Sequence, residues 1–442
     1  MKNLPPCAIS APAMADKKFQ SLPGFRDFTP RDCAVRNYLF SVWRDVAHRY
    51  GFTEYEAPIV EPTELYLKKT GGELTGQLFR FEDQGGRDIT LRPELTASLA
   101  RIVGANQRDF PKPLKWFEIG PCFRYEKPQK GRGREFIQFN ADILGEGEAC
   151  ADAELIALAI DTMLSLGFME GDFVIRASDR ESWLGFCAEN NISEPSEFLP
   201  IIDRLEKLKP EAIDDQLATF GVTRAQVDAF IANPENASAA FNAVQDDLNA
   251  RGLGKYLELD LTIVRGLAYY TGIVFEIFDT KKSMRAVAGG GRYDGLLATL
   301  SDGSADLPAT GFTMGDMVIR NFIEETPNAK LEMEAWMARN PACDIYLVIA
   351  DASKRSEALG ILSELRTAGF SVDFSMSQIN VGKQFKKAEQ SGARFALVIG
   401  SEFPEMQLKI LSSRTEETIH PNTNVVEAIQ HHLDSPDGPL LA

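Results

Sequence analysis

From Asp32 to about Gly51, apolar residues recur at helical spacing (Val35, Leu39, Val42, Val46), which predicts an amphipathic helix that ends at a glycine. From Phe52 to about Gly167 the pattern changes to short β-rich runs between turn residues. It predicts strands over Asp88–Leu91, Leu114–Arg124 and Phe136–Leu144, and helices over about Glu94–Val103 and Ala151–Leu166. Residues 179–255 then read as helical, Pro-punctuated and acidic, which predicts an αα insertion. β-rich text resumes at Tyr256–Arg265 and Ile273–Phe278, followed by a cluster of glycines at 289–291 and a helix from about Met314. Residues 324–341 read as a linker helix. Beyond them, strands at Asp344–Ala350, Ser371–Ser375 and Ala393–Gly400 alternate with helices at Ser353–Gly369 and Val381–Gly392. That alternation predicts a parallel α/β sheet in a separate C-terminal domain.

Composition narrows the classes this pattern can serve. The chain has 442 residues, 44% of them hydrophobic and 25% charged, which excludes a largely disordered or collagen-like protein. No apolar run reaches the ~18 residues that would span a bilayer. There are 47 Lys and Arg against 64 Asp and Glu, a net charge of −17, which argues against an indiscriminate nucleic-acid coat. The acid is unevenly spread. Residues 180–255 hold seven basic and thirteen acidic side chains (−6), whereas residues 343–433 hold nine and eleven (−2). Six cysteines lie scattered with no CxxC pair, as expected of free thiols in a reducing compartment. With four histidines in the whole chain, chemistry built on a histidine base has almost no material.

Four segments can carry chemistry. The first is the hairpin over Lys115–Gly145. On its returning strand Ile137, Phe139, Ala141 and Ile143 share one face, while Gln138, Asn140 and Asp142 share the other. Such a polar face ordinarily points at water. The connecting loop, however, carries five basic and two acidic residues between Arg124 and Glu135, a local +3 in a −17 chain. Guanidiniums placed this way suit phosphate. The second segment, Thr90-Leu-Arg-Pro-Glu-Leu-Thr96, puts Glu94 and Thr96 where a helix begins. They either stabilise its free N–H groups or hold an ammonium. The third, Val264-Arg-Gly-Leu-Ala-Tyr-Tyr-Thr-Gly272, places Arg265 beside Tyr269 and Tyr270, as a packed turn or as a charged finger reaching a ligand. The fourth, Gly289-Gly-Gly-Arg-Tyr-Asp-Gly295, lets backbone approach a ligand closely. There is no Walker loop.

These segments, with Gly24-Phe-Arg-Asp-Phe28, Phe123-Arg-Tyr-Glu-Lys-Pro-Gln-Lys-Gly131 and Arg265-Gly-Leu-Ala-Tyr-Tyr270, resemble the histidyl-tRNA synthetases, class II aminoacyl-tRNA synthetases, from about Leu22 onward. The resemblance implies an α+β catalytic core with a mixed, mostly antiparallel sheet flanked by helices, a helical insertion, and a C-terminal α/β anticodon-binding domain. On this chain the plan is a flexible extension (1–19), core (20–178), insertion (179–255), core (256–325), linker (326–342) and anticodon domain (343–442). It implies a cytoplasmic homodimer that joins L-histidine to ATP as histidyl-adenylate, with Mg²⁺, and then charges tRNA(His). Arg124 and Arg265 would be the catalytic residues, and with Arg132 they would bind ATP. Glu94, Thr96, Gln138, Asp142, Tyr269 and Tyr270 would surround the histidine, with Tyr270 on its imidazole. Asp142 stands where the family usually has Glu.

One position departs from the pattern. The family's last motif often reads Gly-Leu-Glu-Arg-Leu, with the Arg on ATP, whereas this chain has Gly315-Asp-Met-Val-Ile319. Val318 occupies the place of that Arg. Arg320 lies roughly 200° further around a helix and is no simple substitute. This loss favours a rival, a non-catalytic histidine-sensing regulatory subunit of ATP phosphoribosyltransferase. The intact Arg265–Tyr270 stretch, the basic hairpin and the extra C-terminal domain favour the synthetase.

Overall fold

The computed structural model describes residues 19–70, 75–205, 208–264, 270–281 and 285–434. The chain divides into two compact units, Met1–Thr326 and Pro327–Ala442. Among the described residues, no helix is long and apolar enough to cross a membrane.

The first unit opens with helix α1 (Pro30–Arg49), whose start is closed by a capping box between Thr29 and Asp32. Strand β1 (Thr53–Glu54) follows, then β2 (Val60–Pro62), β3 (Phe79–Glu82) and β4 (Asp88–Leu91), which form a small antiparallel sheet in the order β2-β4-β3. After helix α2 (Thr96–Asn106) come the long strands β5 (Leu114–Phe123) and β6 (Glu135–Leu144). Helix α3 (Ala149–Ser165) and β7 (Phe173–Asp179) lead into a run of short helices over residues 180–250. The chain returns through β8 (Leu257–Leu259), β9 (Ile273–Asp279), β10 (Ala288–Arg292) and β11 (Ala309–Gly315), and closes with α4 (Asp316–Glu325). The main sheet has eight strands in the order β1-β5-β6-β11-β10-β9-β7-β8. Only the outer pairs β1–β5 and β7–β8 are parallel, so the sheet is mixed and mostly antiparallel.

Period-two alternation decides which face of the sheet does what. The apolar face of β6 lies under α1, where Trp43 is wholly buried and stacks on Phe139 at 5.5 Å and 15°. Phe117 and Phe312 meet the edge of the same ring. Burying a side chain of this size stabilises by roughly 2–3 kcal/mol, so this cluster fixes α1 on the sheet. Helix α3 is apolar nearly all round (Leu155, Ile156, Leu158, Ile160) and touches α1 and β11, as a helix buried on several sides must. The polar face of β6 is not wet. Gln138, Asn140 and Asp142 are all buried, so the ordinary solvent-facing reading of this strand is wrong.

One further expectation needs correction. Tyr256–Arg265 is not one strand: β8 stops at Leu259, because Asp260 turns the chain by accepting the Thr262 N–H at 3.0 Å. The cluster at Gly289–Gly291 is a strand, paired with both β9 and β11.

The second unit starts with α5 (Pro327–Arg339). It then alternates β12 (Ile345–Ile349), α6 (Arg355–Thr367), β13 (Val372–Phe374), α7 (Val381–Ser391) and β14 (Phe395–Ile399), all three strands parallel. Two antiparallel strands, β15 (Met406–Ile410) and β16 (Thr415–Ile419), extend that sheet, so it is mixed and not parallel throughout. Leu347, Leu362, Phe395, Leu397 and Ile429 form its core.

The main sheet and the small one are held together by a buried ion pair. Arg92 and Glu118 meet at 2.6 Å, each with 1% of its side chain exposed. Arg92 also donates to the carbonyls of Ala57 (2.8 Å) and Pro121 (2.9 Å). The position has no room for a neighbour: a Cβ on Gly120 would fall 2.1 Å from Arg92 Nη2. Removing one partner of such a pair leaves a buried uncompensated charge and costs about 3–5 kcal/mol, whereas an apolar replacement of both is often tolerated. Arg92→Ala should therefore lower stability to guanidinium by about that amount, and Arg92→Met/Glu118→Leu should recover most of it, as read from equilibrium unfolding curves.

Candidate active site

A cleft of about 730 Å³ opens on the polar side of the main sheet. Its walls come from the β5–β6 hairpin (Arg124, Arg132, Phe136, Gln138), from β9 and β10, from the start of α4, and from Ile202–Leu205 in the helical segment.

Gln138, Asn140 and Asp142 form a row along one face of β6, and each has a partner. Asn140 Nδ2 donates to Thr96 Oγ1 at 3.3 Å and Asn140 Oδ1 accepts from Thr313 at 2.7 Å. Gln138 Oε1 accepts from the Cys122 thiol at 3.3 Å. Asp142 Oδ1 accepts from the Tyr293 hydroxyl at 2.5 Å. Asp142 fits only because its partner in the register is glycine: a Cβ on Gly311 would lie 1.9 Å from Oδ1.

Helix α2 starts at Thr96, with Leu95 at the cap and no side-chain capping bond. Glu94 therefore precedes the helix, and the Thr96 hydroxyl is engaged by Asn140. Helix-start chemistry does not account for these two residues. Tyr270 lines the cleft, and its hydroxyl is pushed well above the ordinary phenol range, first by burial and then by the carboxylates of Glu94, Asp142 and Glu276. Three carboxylates around one neutral phenol make a pocket that favours a cation and can hydrogen-bond a polar ring.

Arg124, which lines the same cleft, springs from the end of β5. Its Nε donates to the Pro93 carbonyl at 2.9 Å, and its guanidinium lies 5.2 Å from the Phe136 ring. Arg132 is ion-paired with Glu126 across the hairpin loop. Arg265 and Tyr269 lie outside the described residues. Of the residues expected at the site, Arg124, Arg132, Gln138 and Tyr270 line the cleft. Glu94 and Asp142 are not among its lining residues but lie close enough to Tyr270 to raise its hydroxyl, and Thr96 reaches the β6 row through Asn140.

Val318 lines that cleft. Arg320 does not replace a guanidinium there, because it pairs with Asp32 at 3.0 Å. Arg292, in the glycine-rich segment, is no ligand group either. It is held by Asp152 (2.7 Å) and by the carbonyls of Glu146 and Glu148. Its neighbour Tyr293 carries the site contact. Sequence reasoning passed over Tyr293, Thr313 and Glu276, and for Tyr293 the signal was its place in Gly289–Gly295.

Comparison with known proteins places this arrangement. A family model described as histidyl-tRNA synthetase matches residues 24–179 and 188–317, and an anticodon binding domain model matches residues 344–431. The histidine–tRNA ligase of Opitutus terrae is 41% identical over 427 residues, covering 91% of this chain and 96% of that protein. This chain belongs to the histidyl-tRNA synthetase family. The histidine–tRNA ligase of Haloarcula marismortui is 36% identical over 406 residues, 87% of this chain and 91% of that protein. In fold, the chain resembles the crystal structure of histidyl-tRNA synthetase from Nostoc sp. PCC 7120, with a TM-score of 0.75 at 24% identity, covering 94% of this chain and all of that one. As a synthetase of this family the chain is an enzyme that takes ATP as a substrate. The C-terminal domain and these relatives disfavour the regulatory-subunit alternative.

Cys122 tests how dry the floor of the site is. Burial pushes its thiol up to about 12. At pH 8 only about one molecule in 10⁴ would hold the thiolate, the form that reacts. In the native protein, mass spectrometry after a maleimide pulse at pH 8 should find Cys150, which is exposed, labelled within minutes and Cys122 unlabelled until the protein is unfolded.

Proposed function

We propose that this synthetase is a histidine–tRNA ligase: it activates L-histidine with ATP to histidyl-adenylate and pyrophosphate, then transfers histidine to the 3′ end of tRNA(His). The observation that carries the reading is the buried Asp142–Tyr293 pair, with Asp142 and Glu94 close enough to Tyr270 on the cleft wall to raise its hydroxyl, in a cleft also lined by Arg124 and Arg132. A histidine with its ammonium near Glu94 and Thr96 and its imidazole near Asp142, Tyr270 and Tyr293 would turn its carboxylate toward Arg124. Gln138 would border the ammonium.

A carboxylate oxygen then attacks the α-phosphorus, and pyrophosphate leaves. Charge grows on the phosphoryl oxygens in that step, and Arg124, with Arg132 and Arg265, is suited to meet it. Arg124 is oriented beforehand by its bond to Pro93 and by Phe136, which lowers the reorganisation required. Tyr270 stays a neutral phenol at working pH and can bond a ring nitrogen in either role. Among the described residues no group of three or more His, Cys, Asp or Glu could cage a metal. The donors fit Mg²⁺ carried mainly by phosphates and water, with Glu276 as the protein carboxylate. Bound there, Mg²⁺ would neutralise charge on the leaving pyrophosphate. The second unit would take the anticodon end of the tRNA, and the enzyme would act as a cytoplasmic homodimer.

Histidine-dependent ATP–pyrophosphate exchange is the direct assay, and folded protein showing none would rule the ligase out. Asp142→Asn should cut kcat/KM for histidine by roughly 10- to 100-fold, the loss expected of a buried charged hydrogen bond, with the ATP KM little changed. Arg265→Ala should abolish exchange while leaving the circular dichroism spectrum intact.

A further inference from the structure

Val318 leaves the nucleotide end of the cleft without a guanidinium that the family's usual motif supplies there. We propose that Arg285 fills this deficit and binds the triphosphate of ATP. The inference rests on the ligase reading above and adds a residue to it.

The cleft's charges can be followed one by one. Its described carboxylates are Glu126, Asp203, Glu276 and Asp316, and its described cations are Arg124, Arg132 and Arg285. Arg132 is paired with Glu126, and Asp316 with Arg26 at 2.7 Å. Arg124 is tied by Nε to Pro93. Arg320 is turned away to Asp32. Arg285 is exposed, as Arg132 is, and alone among these cations it has neither a hydrogen bond nor an ion pair to any described residue. A polyanion that binds it displaces no described partner, whereas engaging Arg132 means competing with Glu126. The free fork of a guanidinium suits two phosphate oxygens at once.

Placement supports the same assignment. Arg285 stands just before β10, whose first residue Ala288 is paired with Ile277 of β9, so its backbone is anchored on a wall of the cleft separate from the hairpin loop. Val318, by contrast, packs against that loop, with its Cγ2 3.5 Å from where a Cβ on Gly131 would sit. The cleft therefore presents an apolar group where the charge is missing and an uncommitted guanidinium from another element.

The experiment is ATP–pyrophosphate exchange with wild type, Arg285→Ala, Arg285→Lys and the double variant Arg285→Ala/Val318→Arg. Arg285→Ala should raise the KM for ATP roughly tenfold or more and leave the KM for histidine within about twofold. Arg285→Lys should fall between the two, and the double variant should recover ATP affinity. Because the side chain is exposed and without partners among the described residues, the melting temperature of Arg285→Ala should match wild type. An ATP KM unchanged in Arg285→Ala, or a rise shared equally by histidine, overturns the assignment while the ligase reading stands. A wild type without histidine-dependent exchange removes the ligase reading instead.

Discussion

The buried contact between Arg92 and Glu118 is the constraint from which the site's geometry follows. Arg92 sits in the middle of Thr90–Glu94, and its backbone is bonded on both sides, from its N–H to the Ile59 carbonyl at 2.8 Å and from the Phe123 N–H to its own carbonyl at 2.9 Å. Side chain and main chain together lock residues 57–59, 90–93 and 118–123 into one block. Glu94 leaves that block toward Tyr270, and Arg124 leaves it toward the basic hairpin loop. The Arg124–Pro93 bond closes the loop between them. The spacing between Glu94 and Arg124 is thus set by a buried ion pair that does not line the cleft. Burying it is costly, and burial pushes the Glu118 carboxyl up despite Arg92. Its value lies in orientation more than in stability.

The second constraint is the division of β6 into a dry apolar face and a dry polar face. The apolar face is closed by α1 through Trp43 and Phe139. The polar face is closed by Thr96, Thr313 and Tyr293, so each polar atom bonded there is held in one orientation. A polar row buried in this way is strong in low dielectric when satisfied and costly when not. That fits a row whose work is to discriminate one small polar ring from others.

Much of this was legible in the sequence because it depends on local period. The α1 stripe, the two long strands and the β–α alternation of the second unit all show themselves in spacing. What was not legible depends on partners distant in sequence. Whether Gln138, Asn140 and Asp142 face water or protein is decided by α2, β11 and Tyr293. Arg292 and Tyr293 are adjacent in one glycine-rich segment, yet one is held by Asp152 on a helix 140 residues away and the other bonds Asp142 on β6. The charged edge strand β16 has no apolar period to announce it, and a single aspartate, Asp260, ended β8 early. Arg285 gave no local signal; its meaning comes from the valine at 318.

The Arg292–Asp152 pair divides the cleft into parts that hold still and parts that yield. It pins the glycine-rich strand to α3 with both charges buried, so β10 and its neighbours behave as a single plate. The hairpin loop is tethered differently. Lys130 reaches Glu325 through a well-exposed contact, of the sort worth about 0–1 kcal/mol and weakened by salt. Any breathing of the cleft is therefore borne by the loop that carries the basic residues, against a fixed floor. The cleft is thus asymmetric in stiffness: the β10 wall, with Arg285 just before it, is pinned from behind, and the basic hairpin opposite is the more loosely tethered.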